Sequence, residues 1–428
     1  MNKIKVLVVP SDRTGVSYFR STKPHITLES MFPNEFHVDI EYEPKIDDDN
    51  WLKQYDIIHY HRTFGPYEKH GELIKRCKDL GIVTFMDIDD HWAPGPHHPA
   101  YLIIKNNEID KKILGNLKTA ENIITTTPIF ATEIERVTKS KNVFVLPNAI
   151  DPTEKQFTPN LEPSERIRIG WLGGSSHLKD LELLNGLVSS LKSDGLMDKI
   201  QFVLCGFDLR GTVTMINEKG EQTQRPITPK ESVWYKYEQI FTNNYSSVSE
   251  EYKNFLLTFQ KGEYKDIANE PYRRVWTKPI STYASNYNLF DISLAPIEDN
   301  LFNKVKSQLK VIEAGFHKKA IVAQDFGPYQ IDLKNAYVKP TSKRDVSKFD
   351  DTANAFLVNT ARNHKEWYKY VKRLIQNPEE IKILQTNLHN TVKDTYSIES
   401  VTKNRRELYL NSLKTTNNVE SLEKDVAR

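Results

Sequence analysis

The sequence predicts an α/β protein with two doubly wound, Rossmann-like parallel-sheet domains facing a cleft. In its 428 residues, short β-branched runs alternate with segments of helical periodicity. The alternation begins at Ile4–Val9, stops near residue 151 and restarts at Ile167–Leu172. Continuous apolar strands separated by helices are typical of parallel sheets covered on both faces. The restart therefore predicts two successive domains.

The first domain is predicted to span residues 1–151. Lys3 and Lys5 precede an apolar run that is too short for a signal peptide, so we predict a buried first strand and a cytoplasmic protein. Further strands are predicted at 57–60, 82–86, 123–126 and 143–146, with helices at 69–80 and 113–120.

Residues 152–165 are polar, contain three prolines and are predicted to form a linker. The second domain, 166–385, is predicted to carry an insertion at 207–270, and helices with a tail are expected at 386–428. Its strands are predicted at 167–172, 200–205, 291–295 and 320–323; the insertion is predicted to hold a hairpin of 212–216 with 223–227, then a helical stretch over 234–259.

Composition excludes several classes of protein. Lys plus Arg number 59 and Asp plus Glu number 57, giving a net charge of +2, which argues against nucleic acid as a partner. Cys77 and Cys205 alone cannot build a disulfide scaffold or a cysteine-based zinc site. No apolar run reaches the roughly 18 residues that span a bilayer.

Ligands of doubly wound sheets bind at the carboxyl ends of the strands. Gly15 follows the first strand in a turn that could offer N–H groups to an anion, or could be an ordinary turn. His61 follows the second predicted strand, where it could contact a substrate; the alternative is that it is a buried core histidine.

Asp87, Asp89 and Asp90 follow the third predicted strand. Close carboxylates repel one another unless a partner compensates them. We favour recognition of sugar hydroxyls; a metal site and a surface turn are the alternatives.

Two segments of the second half point to a phosphate-bearing ligand. Gly173 and Gly174 open a helix that carries Lys179, without the spacing of an ATPase loop. The spacing predicts one helix from Lys306, with Lys306, Lys310 and Glu313 on one face. Cations and Ser307 at its start would hold a diphosphate, and Glu313 a ribose diol; the alternative is a solvated charge pattern.

At this point the chain resembles a family-4-like retaining glycosyltransferase of the GT-B fold. The resemblance rests on the Gly15 turn, the 57–61 strand, Pro147-Asn148-Ala149-Ile150-Asp151, the Gly170–Ser175 turn and the 306–315 segment, and covers residues 4 to about 330.

The resemblance implies transfer of a sugar from a nucleotide-sugar donor to a glycan or lipid-linked acceptor hydroxyl, with retention and no cofactor or bound metal. It implies an acceptor-binding first domain, a donor-binding second domain and C-terminal helices that cross back to the first. It puts Glu313 on the ribose, and Lys306 and Ser307 at the diphosphate. It puts His61 and the Asp87–Asp90 run near the transferred sugar, and the catalytic candidates are His61, Asp89, Asp90 and Lys306. Peripheral membrane contact is left open.

Two positions depart from the family pattern. The first Glu of its Glu-x7-Glu motif would stand at 305, which is Val305, so Glu298 or Asp299 could substitute. The usual Arg of the second domain is replaced by Gly174, and Arg274 or Lys278 could supply that charge. A nucleotide-sugar epimerase, a sugar-nucleotide-binding pseudoenzyme and a metal-dependent phosphatase or hydrolase are the competing hypotheses.

Overall fold

The computed structural model describes residues 3–208, 210–216, 222–228, 231–242, 271–339, 348–359 and 363–426. The chain forms two compact units. The first comprises Met1–Pro152, Asn300–Leu309 and Asp394–Arg428, and the second comprises Thr153–Asp299 and Lys310–Lys393. A six-stranded sheet lies at the centre of each unit, which confirms the predicted fold class.

The sheet of the first unit is parallel throughout. Its strands are β1 (Ile4–Val9), β2 (Phe36–Ile40), β3 (Ile57–His61), β4 (Val83–Ile88), β5 (Asn122–Thr125) and β6 (Val143–Val145). Their order is β2-β1-β3-β4-β5-β6, so the winding reverses at β1. Side chains of β1 alternate between two apolar clusters, one holding Leu7 and the other Val6 and Val8, because both faces of the sheet are covered.

Helices connect these strands across the two faces. They are α1 (Gly15–Ser17), α2 (Lys23–Met31), α3 (Asp49–Leu52), α4 (His70–Asp79), α5 (Tyr101–Asn106), α6 (Ile109–Thr119) and α7 (Pro128–Thr138). A π-helical turn, Tyr18–Thr22, joins α1 to α2.

The second unit repeats the architecture. Its sheet consists of β7 (Ile167–Leu172), β8 (Ile200–Phe207), β11 (Tyr272–Trp276), β12 (Ile292–Ala295), β13 (Ala320–Gln324) and β16 (Phe356–Val358). The order β11-β8-β7-β12-β13-β16 makes the winding reverse at β7. Two antiparallel pairs lie outside this sheet: β9 (Thr212–Ile216) with β10 (Gln222–Pro226), and β14 (Tyr337–Val338) with β15 (Lys348–Phe349).

Eight further helices follow β7 in the described part of the chain. They are α8 (Leu178–Glu182), α9 (Leu187–Ser193), α10 (Val233–Thr242), α11 (Leu301–Lys304), α12 (Leu309–Phe316), α13 (Lys365–Gln376), α14 (Pro378–Val392) and α15 (Ile398–Val426). A 3₁₀ helix, Tyr283–Leu289, precedes β12.

The predicted hairpin of the insertion is confirmed, because β9 and β10 pair in antiparallel register. The part of the predicted 234–259 helix beyond Thr242 lies outside the described residues. Residues 153–165, predicted as a linker, belong to the second unit, where Phe157 is buried.

The predicted helix over 306–315 is wrong at its start, because α12 begins at Leu309. Val305 is 1% exposed within the apolar core of the first unit, and the Gln308 amide donates to Tyr396 Oη (2.9 Å). These tertiary contacts hold 305–308 out of a helix despite favourable residue types.

The C-terminal helix α15 packs on the first unit. Tyr409 is buried against Phe85, with ring centroids 4.9 Å apart, and its hydroxyl lies 2.7 Å from His25 Nε2. The expected crossing back of the C-terminal helices is therefore observed. Across the described residues, we find no helix with the length and apolar character needed to cross a membrane.

Candidate active site

A cavity of about 510 Å³ opens in the first unit where the sheet winding reverses. It is lined by residues that follow β1 and β3, where a doubly wound sheet offers its ligand site. The lining includes two tyrosines, Tyr42 and Tyr67, and the Arg13 guanidinium lies 4.1 Å from the centre of the Tyr42 ring. The remaining polar lining includes Ser11, Asp12, His61, Arg62 and Thr63.

His61 is held from both sides of its ring. Its Nδ1 lies 2.8 Å from Ser11 Oγ, and its Nε2 lies 2.9 Å from Asp89 Oδ1. Asp89 also accepts from Arg62 Nη2 at 3.1 Å. Burial raises the pKa of Asp89, but the hydrogen bond and charge of His61 and the charge of Arg62 outweigh it and hold that pKa well below its usual value. Asp89 is therefore an ionised carboxylate that orients His61.

The backbone at Arg62 explains how these groups meet. Arg62 has φ +62°, a left-handed conformation that is costly for a residue with a side chain. Its N–H donates to Asp87 O (3.0 Å) and its carbonyl accepts from Asn116 Nδ2 (3.1 Å). These bonds fix the turn that brings the guanidinium to Asp89.

Asp90 differs from its neighbour. Within the described chain, no hydrogen bond reaches its carboxylate, and the pKa of Asp90 is raised by burial and by the charge of Asp89. The charges of Lys306, Arg62 and His61 oppose that rise. Two adjacent carboxylates with pKa values moved in opposite directions are a common arrangement in acid–base catalysis.

Asp87 does not join this site. Its carboxylate is fully buried and accepts from Arg20 Nε (2.9 Å) and Nη2 (3.0 Å). Arg20 Nη1 also donates to Leu146 O (2.8 Å) and to Asn148 Oδ1 (3.1 Å). The prediction that Asp87 takes part in sugar binding is therefore corrected: Asp87 is a structural partner of Arg20.

A second buried network connects helix α15 with the sheet. His59 Nδ1 lies 3.2 Å from Tyr409 Oη, to which Arg405 also donates (3.4 Å). Burial, followed by neighbouring charges, moves the pKa of His59 well below its usual value, so it is a neutral core histidine.

Lys306 and Ser307 lie in the first unit, before α12 rather than on it. Lys306 Nζ is 5.0 Å from the centre of the Phe302 ring and acts electrostatically on Asp90. Ser307 Oγ accepts from Asn148 Nδ2 (3.1 Å). The prediction that Lys306 shares a helix face with Lys310 and Glu313, with Ser307 in the first turn, is therefore wrong.

Gly15 begins α1 in the first unit. The turn before it is already occupied internally, because Asp12 Oδ1 accepts from the N–H and the hydroxyl of Thr14, each at 2.7 Å. An anion would meet the Asp12 carboxylate there, which disfavours the predicted role of Gly15.

In the second unit, Lys310 reaches the Gly173–Gly174 turn at the end of β7. Its Nζ donates to Leu172 O and lies 5.0 Å from the centre of the Trp171 ring. A Cβ at Gly173 would come within 2.5 Å of that ring and 3.1 Å of Lys310 Nζ, whereas one at Gly174 would meet open space. Glycine at 173 thus leaves room for the Trp171 ring, and the Lys310 ammonium lies against the same turn.

Glu313 lies one turn further along α12 and is 4% exposed. One carboxylate oxygen accepts from the Tyr283 hydroxyl, and the other accepts from Tyr287 Oη at 3.0 Å. Burial raises the pKa of Glu313, against the Tyr283 hydrogen bond, the charge of Lys310 and the Tyr287 hydrogen bond. Sequence reasoning missed both tyrosines, whose only signal was their i, i+4 spacing before β12.

Arg274 cannot supply the missing cation of the second unit. It is 4% exposed, and its Nε and Nη2 donate to Glu238 at 2.7 and 2.5 Å. The Phe207 ring covers its guanidinium at 4.0 Å. Arg274 is therefore held in a buried ion pair, which argues against its predicted role in binding the donor.

The remaining predicted cations have surface partners. Lys179 Nζ donates to Glu182 (2.8 Å) and Lys278 Nζ donates to Ser285 Oγ (3.1 Å). Asp180, near Lys179, accepts from the backbone N–H of Glu298 (2.7 Å). Among the described residues there is no group of three or more His, Cys, Asp or Glu side chains that could hold a metal ion.

No protein-family model and no curated protein matches the sequence. Solved structures share its fold. Sucrose-phosphate synthase from Thermosynechococcus elongatus aligns with a TM-score of 0.57 and 13% identity over 97% of this chain and 100% of that one.

Two ligand-bound structures are also similar. HepE from Anabaena, in complex with UDP and glucose, aligns with a TM-score of 0.55 and 10% identity over 95% of this chain and 99% of that one. The catalytic domain of starch synthase IV from Arabidopsis thaliana, bound to ADP and acarbose, aligns with a TM-score of 0.54 and 11% identity over 96% of this chain and 100% of that one. The chain therefore has the GT-B fold of these glycosyltransferases.

Proposed function

We propose that this protein is a glycosyltransferase that moves a sugar from a nucleotide-sugar donor to an acceptor hydroxyl. The observation that carries the proposal is the pair formed by Lys310 on the Gly173–Gly174 turn and Glu313 one helical turn away. A cation at the carboxyl end of β7 suits a diphosphate, and a buried carboxylate beside it suits the hydroxyls of a ribose. HepE and starch synthase IV, which share the fold, are described with UDP and ADP.

The chemistry proposed for the donor needs a stabilised leaving group. Departure of the sugar leaves negative charge on a nucleoside diphosphate, and Lys310 would stabilise that charge as it forms. A resident metal ion is not part of the proposal, because the lysine takes its electrostatic role.

The cavity of the first unit is the proposed acceptor site. Tyr42 and Tyr67 give the lining an aromatic part that suits the apolar side of a sugar, while Asp12 and Thr63 give it polar groups that suit its hydroxyls. This mixed lining supports a glycan, polysaccharide or lipid-linked sugar as acceptor. Asp90 follows Asp89 in the chain without lining the cavity, and it is the proposed base for the acceptor hydroxyl. The charge of Lys306 acts on Asp90, and Asp89 orients His61.

Retention of anomeric configuration is the finer proposal taken from the sequence resemblance. Val305, at the position of the family's first motif Glu, is buried in the apolar core of the first unit and cannot assist the sugar. The anomeric configuration of the product, read by NMR at early times, decides between retention and inversion.

The test of the proposed function is a binding and turnover screen. Calorimetry and thermal shift with UDP-, GDP-, ADP- and dTDP-sugars should find one donor that adds about 2.7 kcal/mol of stability at 100 times its dissociation constant. Glu313→Gln should weaken that donor, whereas Glu379→Gln, an exposed control in the second unit, should not.

Three outcomes contradict the proposal. Conversion of the donor to a new sugar nucleotide without acceptor indicates an epimerase. Donor binding without turnover on any sugar acceptor indicates a sugar-nucleotide-binding protein. If none of the four donor classes binds, the proposed donor site is refuted.

A further inference from the structure

The Glu313 carboxylate carries an unusual pair of neutral donors. Tyr283 donates to one oxygen and Tyr287 to the other, so each oxygen has one tyrosyl hydrogen bond. An ionised carboxylate has about four acceptor positions, so about two stay open, one on each oxygen. Two adjacent acceptors of this kind match the two hydroxyls of a vicinal diol.

The two tyrosines are placed differently. Tyr287 is fully buried, stacked on His317 with ring centroids 5.1 Å apart and edge-on to Phe290 at 5.5 Å. Tyr283 begins the same 3₁₀ helix and is only half-buried. Tyr287 is thus part of the core, whereas Tyr283 is partly exposed to solvent.

We propose that Tyr283 is a positioning residue that orients the Glu313 carboxylate for a ribose diol and thereby sets the preference for ribonucleotides over deoxyribonucleotides. The proposal rests on the proposed function, since it assumes that a nucleotide binds at Lys310 and Glu313. Without the Tyr283 hydroxyl, the carboxylate keeps one fixed oxygen and can rotate away from the diol.

The same hydroxyl stabilises the ionised form of Glu313. The titratable groups that face this carboxylate are Tyr283, Tyr287, Tyr329 and Lys310. His317 is also near, but its Nδ1 lies 2.9 Å from the backbone carbonyl oxygen of Glu313 rather than from the carboxylate. Removing the Tyr283 hydrogen bond leaves burial less opposed, so the pKa of Glu313 rises further. As the solution is acidified, nucleotide binding that needs the ionised carboxylate should therefore be lost at a higher pH in the variant without this hydroxyl than in wild type.

The experiment compares full-length wild type with Tyr283→Phe and with Tyr235→Phe, a control on α10. Dissociation constants are measured by calorimetry for UDP with 2′-deoxy-UDP and for ADP with 2′-deoxy-ADP, across the acidic to neutral pH range. Tyr283→Phe should weaken the ribonucleotide by about 5- to 20-fold, bring the ribo-to-deoxy ratio towards one and shift the acid limb of binding to higher pH. Tyr235→Phe should leave all three unchanged.

The contrary results are distinct from failure of the proposed function. Equal weakening of both nucleotides in Tyr283→Phe indicates a merely structural role and overturns the inference, as does an unchanged ratio. If Tyr283→Phe does not fold, wild type still tests the idea, because equal affinity for ribo- and deoxyribonucleotide refutes it. Binding of neither nucleotide pair by wild type refutes the donor site, and this inference with it.

Discussion

Asp90 and Asp89 are adjacent carboxylates to which the proposed function gives different tasks, and their amide variants test this directly. We predict that Asp90→Asn lowers glycosyl transfer by about 10²- to 10⁴-fold, the usual contribution of a positioned general base. Donor affinity should stay unchanged, because Asp90 belongs to the first unit and Glu313 to the second.

The magnitude follows from what each carboxylate contacts. Asp90 has no hydrogen-bond donor within the described residues, so its amide variant breaks no structural bond and loses only the ability to take a proton. In free energy the predicted loss is about 3–5 kcal/mol of transition-state stabilisation. Asp89→Asn instead replaces the carboxylate that pairs with His61 and Arg62 by an amide. Because two charge-assisted hydrogen bonds are weakened, the free energy of unfolding should fall by about 1.5–3 kcal/mol.

The pH dependence gives an independent readout. A base must be ionised, so transfer should fall as pH drops through the raised pKa of Asp90. The charge of Asp89 raises that pKa, whereas Lys306, Arg62 and His61 lower it. Asp89→Asn removes the repulsion and should move the acid limb of the activity profile to lower pH.

The assay is product formation from donor and sugar acceptor, with donor hydrolysis followed in parallel and Asp47→Asn as an exposed control in the first unit. Asp90→Asn that keeps more than about a tenth of wild-type transfer would refute the assignment of a base. An acid limb that stays in place in Asp89→Asn would refute the coupling between the two carboxylates.

Further predictions concern the second unit and the metal requirement. Arg274→Met should lower the free energy of unfolding by about 3–5 kcal/mol in denaturant titrations, because it strands the buried Glu238 charge, and the double variant with Glu238→Leu should recover most of that loss. Lys310→Met should weaken nucleoside diphosphate by about 10-fold or more in calorimetry, and unchanged affinity contradicts its assignment. Transfer should survive EDTA; loss with the chelator and recovery with Mg²⁺ or Mn²⁺ would show a metal site.

Much of the fold follows from periodicity, since buried parallel strands appear as continuous apolar runs. The strands that escaped prediction lack such runs. Phe36–Ile40 is an edge strand that is mostly half-buried, Tyr272–Trp276 carries two arginines, and Phe356–Val358 has only three residues. Each is specified by its neighbours in the sheet rather than by its own pattern.

The position of a candidate residue was predictable where the end of a strand determines it. His61 lies at the carboxyl end of a buried strand, as its place in the sequence implies. Partnerships across long separations were not predictable: Arg274 meets Glu238 36 residues away, and Asp87 meets Arg20 67 residues away. In the sequence, a cation that is held in such an ion pair cannot be distinguished from one that is available to bind a ligand.

The first unit is built from three separate stretches of the chain, and this affects the order in which the two units can fold during synthesis. Every residue of the second unit leaves the ribosome before helix α15, which carries Arg405 and Tyr409 into the core of the first unit. The first unit therefore starts first and finishes last, whereas domains usually complete in order from the N-terminus. Until α15 is synthesised, the sheet face at Phe85 and the buried histidines His25 and His59 lack the cover that Tyr409 provides, so the nascent first unit exposes surface that is buried in the finished fold.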